Sequence, residues 1–184
     1  MPQTAERLMD VDAFLDWASK VQGKFELHDG RPVAMSPERV RHAGTKSETY
    51  AVLREAIRRA NLPCRAYVDG ITVRVRNNRA FIPDVLVVCP APPPDALTID
   101  NPVSVVEVLS PTTEEIDHGI KLNSYFSLPG LAHYLILDPI LRVALHHTRE
   151  GRARGAPGVY HAGLLRLDPP GLDIAIGDLF EPEI

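Results

Sequence analysis

The chain has 184 residues, enough for one domain with a sizeable core and too few for two comfortable ones. Hydrophobic residues make up 45% and charged residues 24%, which excludes wholesale disorder, and no window approaches the roughly 18 apolar residues of a membrane span. A net charge of -4 argues against a dedicated nucleic-acid coat protein but leaves room for an enzyme that meets phosphate through one local patch. The opening stretch "MPQTAERLMDVDAFLDW" carries acids through its apolar residues, unlike a secretory leader. Cys64 and Cys89 show neither C-x-x-C spacing nor a nearby histidine pair, which argues against a disulfide or a zinc site and fits a reducing cytoplasm.

In chain order, "VDAFLDWASK" places Val11, Phe14, Leu15 and Ala18 at the helical period. "KFELHDGRPVAMS" predicts two short strands around an Asp29-Gly30 turn. Ser36 and Pro37 suit the cap and first position of a helix of about 22 residues that stops before Pro63, with Tyr50, Leu53, Ala56 and Ile57 on one face. "CRAYVDGITVRVRNN" and "RAFIPDVLVV" predict one strand pair joined near Asn77-Asn78. The prolines of "CPAPPPDALTIDNP" predict a loop without regular structure. "VSVVEVLS" reads as a central strand covered on both faces. Thr112 and Glu115 form a capping box for a further helix ended by Pro129-Gly130. "HYLILDPILRVALHHT" predicts two strands around Asp138-Pro139, and the tail adds shorter strands beyond a flexible "REGRARGAPG" connection. The order predicts one mixed α/β domain.

The chemistry gathers on two acids. Glu107 stands among Val105, Val106, Val108 and Leu109, where a carboxylate must find a partner, take up a proton or bind a metal. Asp84 follows Pro83 and precedes the apolar "VLVV". Were the two strands neighbours, the acids would raise one another's pKa unless a cation neutralised them, and a divalent metal with carboxylate, carbonyl and water ligands is an economical cation. On the following helix Asp117, Lys121 and Tyr125 recur every four residues and share one stripe, leaving Ile116, Ile120 and Phe126 to pack on the sheet. Lys121 would then lie over the strand end, placed to stabilise charge on a phosphate or to orient an attacking water. Plainer readings stand beside these: Asp84 as a strand terminator, Glu107 as a buried acid paired with an arginine, Asp117 and Lys121 as an ordinary surface ion pair. His42 reads as surface or packing, and Glu26, alternating with Phe25 and Leu27, as facing solvent.

"IPDVLVV" followed by "VVEVLSPTTEEIDHGIKLNSYFSLPGLAHYLILDP" resembles the PD-(D/E)XK nuclease superfamily, and more narrowly its Uma-two family of bacterial restriction-endonuclease-like proteins. The likeness extends upstream through "KFELHDGRPVAMSPERVRH" and covers roughly residues 10 to 148. It implies a restriction-endonuclease-like mixed sheet flanked by helices, and a Mg²⁺ or Mn²⁺ ion held by Asp84, Glu107 and the main-chain carbonyl of Val108. The superfamily's lysine stands two residues after the glutamate; that place is Leu109 here, and the resemblance gives its role to Lys121. Glu26 and His42 match recurring family positions and, with Asp117 and Tyr125, are candidates to line the cleft. The superfamily's habit of cutting both strands of DNA implies a homodimer.

The leading reading is therefore a Mg²⁺-dependent endonuclease acting on DNA, with Arg74, Arg76 and Arg79 of one hairpin as candidate contacts to the DNA backbone. The alternative is a catalytically silent nuclease-fold module that binds nucleic acid or a protein partner, which Leu109 and the acidic net charge favour. A two-carboxylate glycosidase ranks last, because Trp17 is the only tryptophan and no aromatic sugar platform is evident.

Overall fold

A computed structural model describes residues 8–110, 117–151 and 153–182, with the backbone alone at 117 and 118. The described elements are α1 (Val11–Ala18), β1 (Phe25–His28), β2 (Arg31–Ala34), α2 (Val40–Arg59), β3 (Arg65–Val68), β4 (Thr72–Arg76), β5 (Arg79–Phe81), β6 (Val85–Val88), β7 (Thr98–Ile99) and β8 (Ser104–Val108). A π-helical turn (Asp117–Lys121) then runs into α3 (Leu122–Tyr125). The chain continues through β9 (His133–Asp138), β10 (Val143–Glu150), β11 (Ala153–Arg154), β12 (Gly158–Tyr160), β13 (Leu164–Leu167), β14 (Leu172–Ala175) and a 3-10 turn (Ile176–Leu179).

The strands form two main sheets. The larger runs β11-β10-β9-β8-β6-β3, with β12 also on β10; the smaller runs β2-β1-β5-β4-β7. As expected of the most apolar run, β8 lies inside the larger sheet, buried along its whole length, antiparallel to β6 and parallel to β9. Its alternation feeds two cores. Val106 and Val108 join Leu53 and Ile57 of α2, with Leu165 and Ile174 of the C-terminal hairpin, on one face. Val105 joins Leu86, Leu122, Tyr125 and Tyr134 on the other.

The β1–β2 hairpin forms as predicted, with Asp29 at φ 50° and Gly30 at φ 82°, the positive angles that a tight hairpin turn of matching twist requires. The predicted strand pair across Asn77-Asn78 is broken in two. β4 pairs with β5 in the smaller sheet, while β3 pairs with β6 in the larger. The break falls at Asp69-Gly70 on one side and Pro83-Asp84 on the other; proline has no N–H for the ladder, and Asp69 N–H donates to the Asp84 carbonyl across the bend. Asp84 consequently sits where one sheet gives way to the other.

Other expectations need correction. Helix α2 starts at Val40, not at Ser36-Pro37; its N-cap is Arg39, and the preceding residues run along the cavity described below. Within the proline-rich loop, Thr98–Ile99 pairs in parallel with β4. The connection at "REGRARGAPG" contains a short hairpin, Glu150 facing Ala153. The stripes on the helix after β8 hold only in part: Phe126 packs on the core as expected, but Ile120 is 46% exposed, whereas Lys121 and Tyr125 are buried. A π turn places more residues in each revolution than an α-helix, which rotates the faces that an α-helical count assigns. α3 ends at Tyr125, ahead of Pro129; Thr112, Glu115 and Ile116 lie outside the described residues. Finally, Cys64 and Cys89 are joined in a disulfide, contrary to the expectation. Sequence spacing was the wrong guide, because β3 and β6 pair with Arg65 opposite Val88, which brings the flanking cysteines abreast with Cα atoms 4.3 Å apart. Among the described residues, no helix is long and apolar enough to cross a membrane.

Candidate active site

The β6–β8 register sets Val85 opposite Val106, so one further step brings Asp84 abreast of Glu107. Both acids open into a cavity of about 680 Å³ at the end of β8, which Glu26, Glu38, His42, Val108 and Lys121 also line. Met35, Pro37, Ile82, Leu109, Pro139 and Ile140 contribute apolar wall. Arg39 and Arg41, at the start of α2, complete the lining on the basic side.

On the Glu107 side the central group is Lys121. Its Nζ lies 3.2 Å from Glu107 Oε1 and 3.0 Å from Glu26 Oε1, and all three side chains are buried. Tyr125 Oη stands behind, 3.4 Å from Glu107 Oε1, and the ammonium lies 5.9 Å from the centre of the Phe81 ring. Glu26 also accepts the Ile82 N–H at 3.0 Å and meets His28 Nε2 at 3.0 Å. Burial alone would push the Glu26 carboxyl up; Lys121, His28 and the Ile82 N–H together hold it below its ordinary value. The expectation that Glu26 faces solvent is overturned, because β1 packs inside the smaller sheet with its solvent face closed by Lys121. Glu107 is a paired buried acid whose cation is a lysine from the next helix, not an arginine.

On the Asp84 side the partners come from α2. Asp84 Oδ2 accepts the Val108 N–H at 2.7 Å and lies 3.4 Å from His42 Nε2. That same ring nitrogen is 2.9 Å from the Val108 carbonyl oxygen. Nδ1 of His42 faces Glu38 Oε2 at 3.5 Å. Lys46, buried one turn further along, pairs with Glu38 and lies 3.6 Å from Asp69 and 3.8 Å from Asp84 Oδ1. Burial lowers the affinity of His42 for a proton, but Asp84 and Glu38 more than offset this and raise its pKa. Lys46 is likewise raised, its carboxylate neighbours overcoming the desolvation of a buried ammonium. Single oxygen or nitrogen atoms of Glu38, His42 and Asp84 all lie within 4.8 Å of one another, a spacing compatible with a shared cation.

Five of the residues singled out from the sequence, Glu26, His42, Asp84, Glu107 and Lys121, thus line one cavity, and the Val108 carbonyl is directed into the same region. The side chain of Asp117 is outside the described residues. The hairpin arginines lie elsewhere. Arg74 is engaged by Asp12, and Arg79 makes a two-point contact with Asp29 at 2.7 and 2.8 Å and donates to Ser124 Oγ; neither lines the cavity, nor does the exposed Arg76. Sequence reasoning missed Glu38 and Lys46. Both stand four residues from His42, Lys46 one turn along α2 and Glu38 just ahead of its N-cap, a spacing of acid, imidazole and amine that the sequence contained.

A mixed sheet that delivers acids from its central strands to a cleft at their ends defines a restriction-endonuclease-like α/β protein. A family model, Uma2, described as "Putative restriction endonuclease", matches residues 11–176, and the chain belongs to this family. It is 29% identical over 154 residues to the uncharacterised protein slr1290 of Synechocystis sp., covering 77% of this chain and 75% of that one. A crystal structure described as a "putative nuclease belonging to DUF820", from Anabaena variabilis, superposes with a TM-score of 0.75 at 17% identity, covering 94% of this chain and 97% of that one. The family match itself takes in the C-terminal hairpin of β13 and β14.

Proposed function

We propose that this protein is an endonuclease that hydrolyses phosphodiester bonds of DNA with the help of Mg²⁺ or Mn²⁺. The observation that carries this reading is the pairing of β6 with β8, which sets Asp84 beside Glu107 at one cavity. The donor set suits such an ion: Asp84, Glu107 and the Val108 carbonyl offer hard oxygen ligands, and the cavity leaves room for the waters that Mg²⁺ retains. When bound, the ion supplies Lewis acidity and lowers the pKa of a coordinated water.

The protein's own contribution is positional. Strand pairing fixes the acids without side-chain searching, since the Val108 N–H holds Asp84 and Lys121 holds Glu107. Lys121 is placed to meet negative charge as it builds on a phosphate. Arg39 and Arg41 offer phosphate contacts at the cavity mouth, a role for which Arg74 and Arg79 are poorly placed because carboxylates already engage them. A homodimer would present two such sites to the two strands of a duplex. The family description and the nuclease-like fold support this reading.

Incubation of the purified chain with supercoiled, linear and single-stranded DNA in Mg²⁺ or Mn²⁺ should give cleavage. Asp84→Ala and Glu107→Ala should each lower the rate at least about a hundredfold, the scale of losing a principal electrostatic group. Variants that cut like the parent would defeat the assignment. Binding without cleavage in any divalent ion would instead establish the silent module.

A further inference from the structure

The His42 ring has an oxygen acceptor near each of its two nitrogens. The Val108 carbonyl can only accept a hydrogen bond, so Nε2, 2.9 Å away, carries the proton in this arrangement. In a neutral ring Nδ1 then presents a bare lone pair, yet the atom it faces is a carboxylate oxygen of Glu38 at 3.5 Å, and Nδ1 is buried without a hydrogen-bond partner. Nε2 also has a carboxylate neighbour, Asp84 Oδ2 at 3.4 Å. Both ends of the imidazole therefore point at oxygen acceptors, and a neutral ring satisfies only one end. Two arrangements satisfy both: a second proton on the ring, or a cation that replaces the Nε2 proton while the remaining proton turns to Glu38.

We propose that His42 is a metal ligand, its Nε2 joining Asp84 and the Val108 carbonyl on one divalent ion, with Glu38 orienting the ring through Nδ1. This rests on the cation position proposed above for Asp84, Glu107 and the Val108 carbonyl, and adds to it a nitrogen donor and a selectivity. Adjacent ligands of an octahedral ion with bonds of about 2.1 Å stand about 3 Å apart. The separations of Nε2 from Val108 O and Asp84 Oδ2, 2.9 and 3.4 Å, lie close to that edge. A carboxylate on the far ring nitrogen is the usual means of fixing the tautomer of a ligating histidine. Imidazole beside oxygen donors favours first-row transition ions over Mg²⁺, so the site should prefer Mn²⁺. The carboxylate of Glu38 keeps its pairing with Lys46 in this scheme, which leaves its second oxygen for the ring.

The test uses the full chain and Mn²⁺ alone, read by pulsed electron paramagnetic resonance for nitrogen coupled to the bound ion. Wild type should show a directly coordinated histidine nitrogen, and growth on ¹⁵N-histidine should convert that signal to the ¹⁵N pattern. His42→Gln should abolish the coupling and His28→Gln, the other histidine at the cavity, should retain it. Glu38→Gln should keep the coupling but weaken Mn²⁺ binding by about tenfold or more, the scale of losing a ligand-orienting group. Bound Mn²⁺ without nitrogen coupling in wild type, coupling that survives His42→Gln, or no Mn²⁺ binding at all would each overturn the proposal. If His42→Gln does not fold, labelled His28→Gln, which removes the other histidine at the cavity, decides the matter: retained coupling supports His42, and lost coupling overturns it. Because the readout is spectroscopic, its failure is distinct from a failure to cleave DNA.

Discussion

The two acids of the cleft are served by matching sets of groups. Asp84 has a buried lysine, a histidine and a second carboxylate in Lys46, His42 and Glu38; Glu107 has Lys121 and, through it, Glu26 with His28. The settings differ in how closed they are. Lys121, Glu26 and Glu107 have side chains 5, 8 and 4% exposed; on the Asp84 side Lys46, Asp84 and His42 are nearly as closed, but the outer acids Glu38 and Asp69 are 28 and 27% exposed. The Glu107 side is the more enclosed ion cluster, while the Asp84 side has an opening through its outer acids. An incoming cation meets less resistance at the open side, where water already screens the carboxylates.

The largest effect that sharpens this contrast is on stability. Lys121→Met leaves two acids buried without their shared ammonium and should cost about 3–5 kcal/mol, measured by urea unfolding. Lys46→Met should cost less, about 1–3 kcal/mol, because water reaches Glu38 and Asp69. Equal losses would break the comparison. Next comes the disulfide, which ties the ends of β3 and β6 remote from Asp84. Cys64→Ser with Cys89→Ser should lower stability by about 2–4 kcal/mol, checked by unfolding with and without reductant, and should leave the Lys121 penalty unchanged.

The smallest effect is on pH, and the two sides should respond with opposite sign. Glu26 is held below its ordinary 4.5, so its contribution is complete above that value and is lost as pH falls through the folded one. His42 is raised above 6.5, so in metal-free protein its contribution is complete below that value and fades as pH rises through the folded one. The stability gap between wild type and Glu26→Gln should therefore shrink only below pH 4.5, and that for His42→Gln only above pH 6.5, followed by thermal melts in chelator. The same direction in both would contradict the charge assignments.

The sequence made Glu107 conspicuous because an acid interrupts an otherwise continuous apolar run, and Asp84 because a proline marks the end of a strand. Local rules of that kind also found the Asp29-Gly30 turn and the centrality of β8. What they missed depended on long-range pairing. The disulfide and the split of the long hairpin follow from which strand lies beside which, and neither is written in local composition. The place of Ile120 was misjudged because a π turn changes the count and because Glu26, far away in sequence, draws Lys121 inward. Glu26 itself looked like a solvent-facing member of an alternating strand; its partner lies 95 positions on, and no periodicity connects them. Arg79 read as a contact for DNA, but its geometry to Asp29 secures the tip of a hairpin.

Glu26 belongs to the smaller sheet and Glu107 to the larger, so the ammonium between them is a rivet through two plates. Sliding of one sheet over the other would have to tear that joint before it widened the cleft. The floor of the cavity is thereby kept at one spacing during thermal fluctuation, and adjustment to a guest falls to the rim, where Arg39, Arg41 and Ile140 stand.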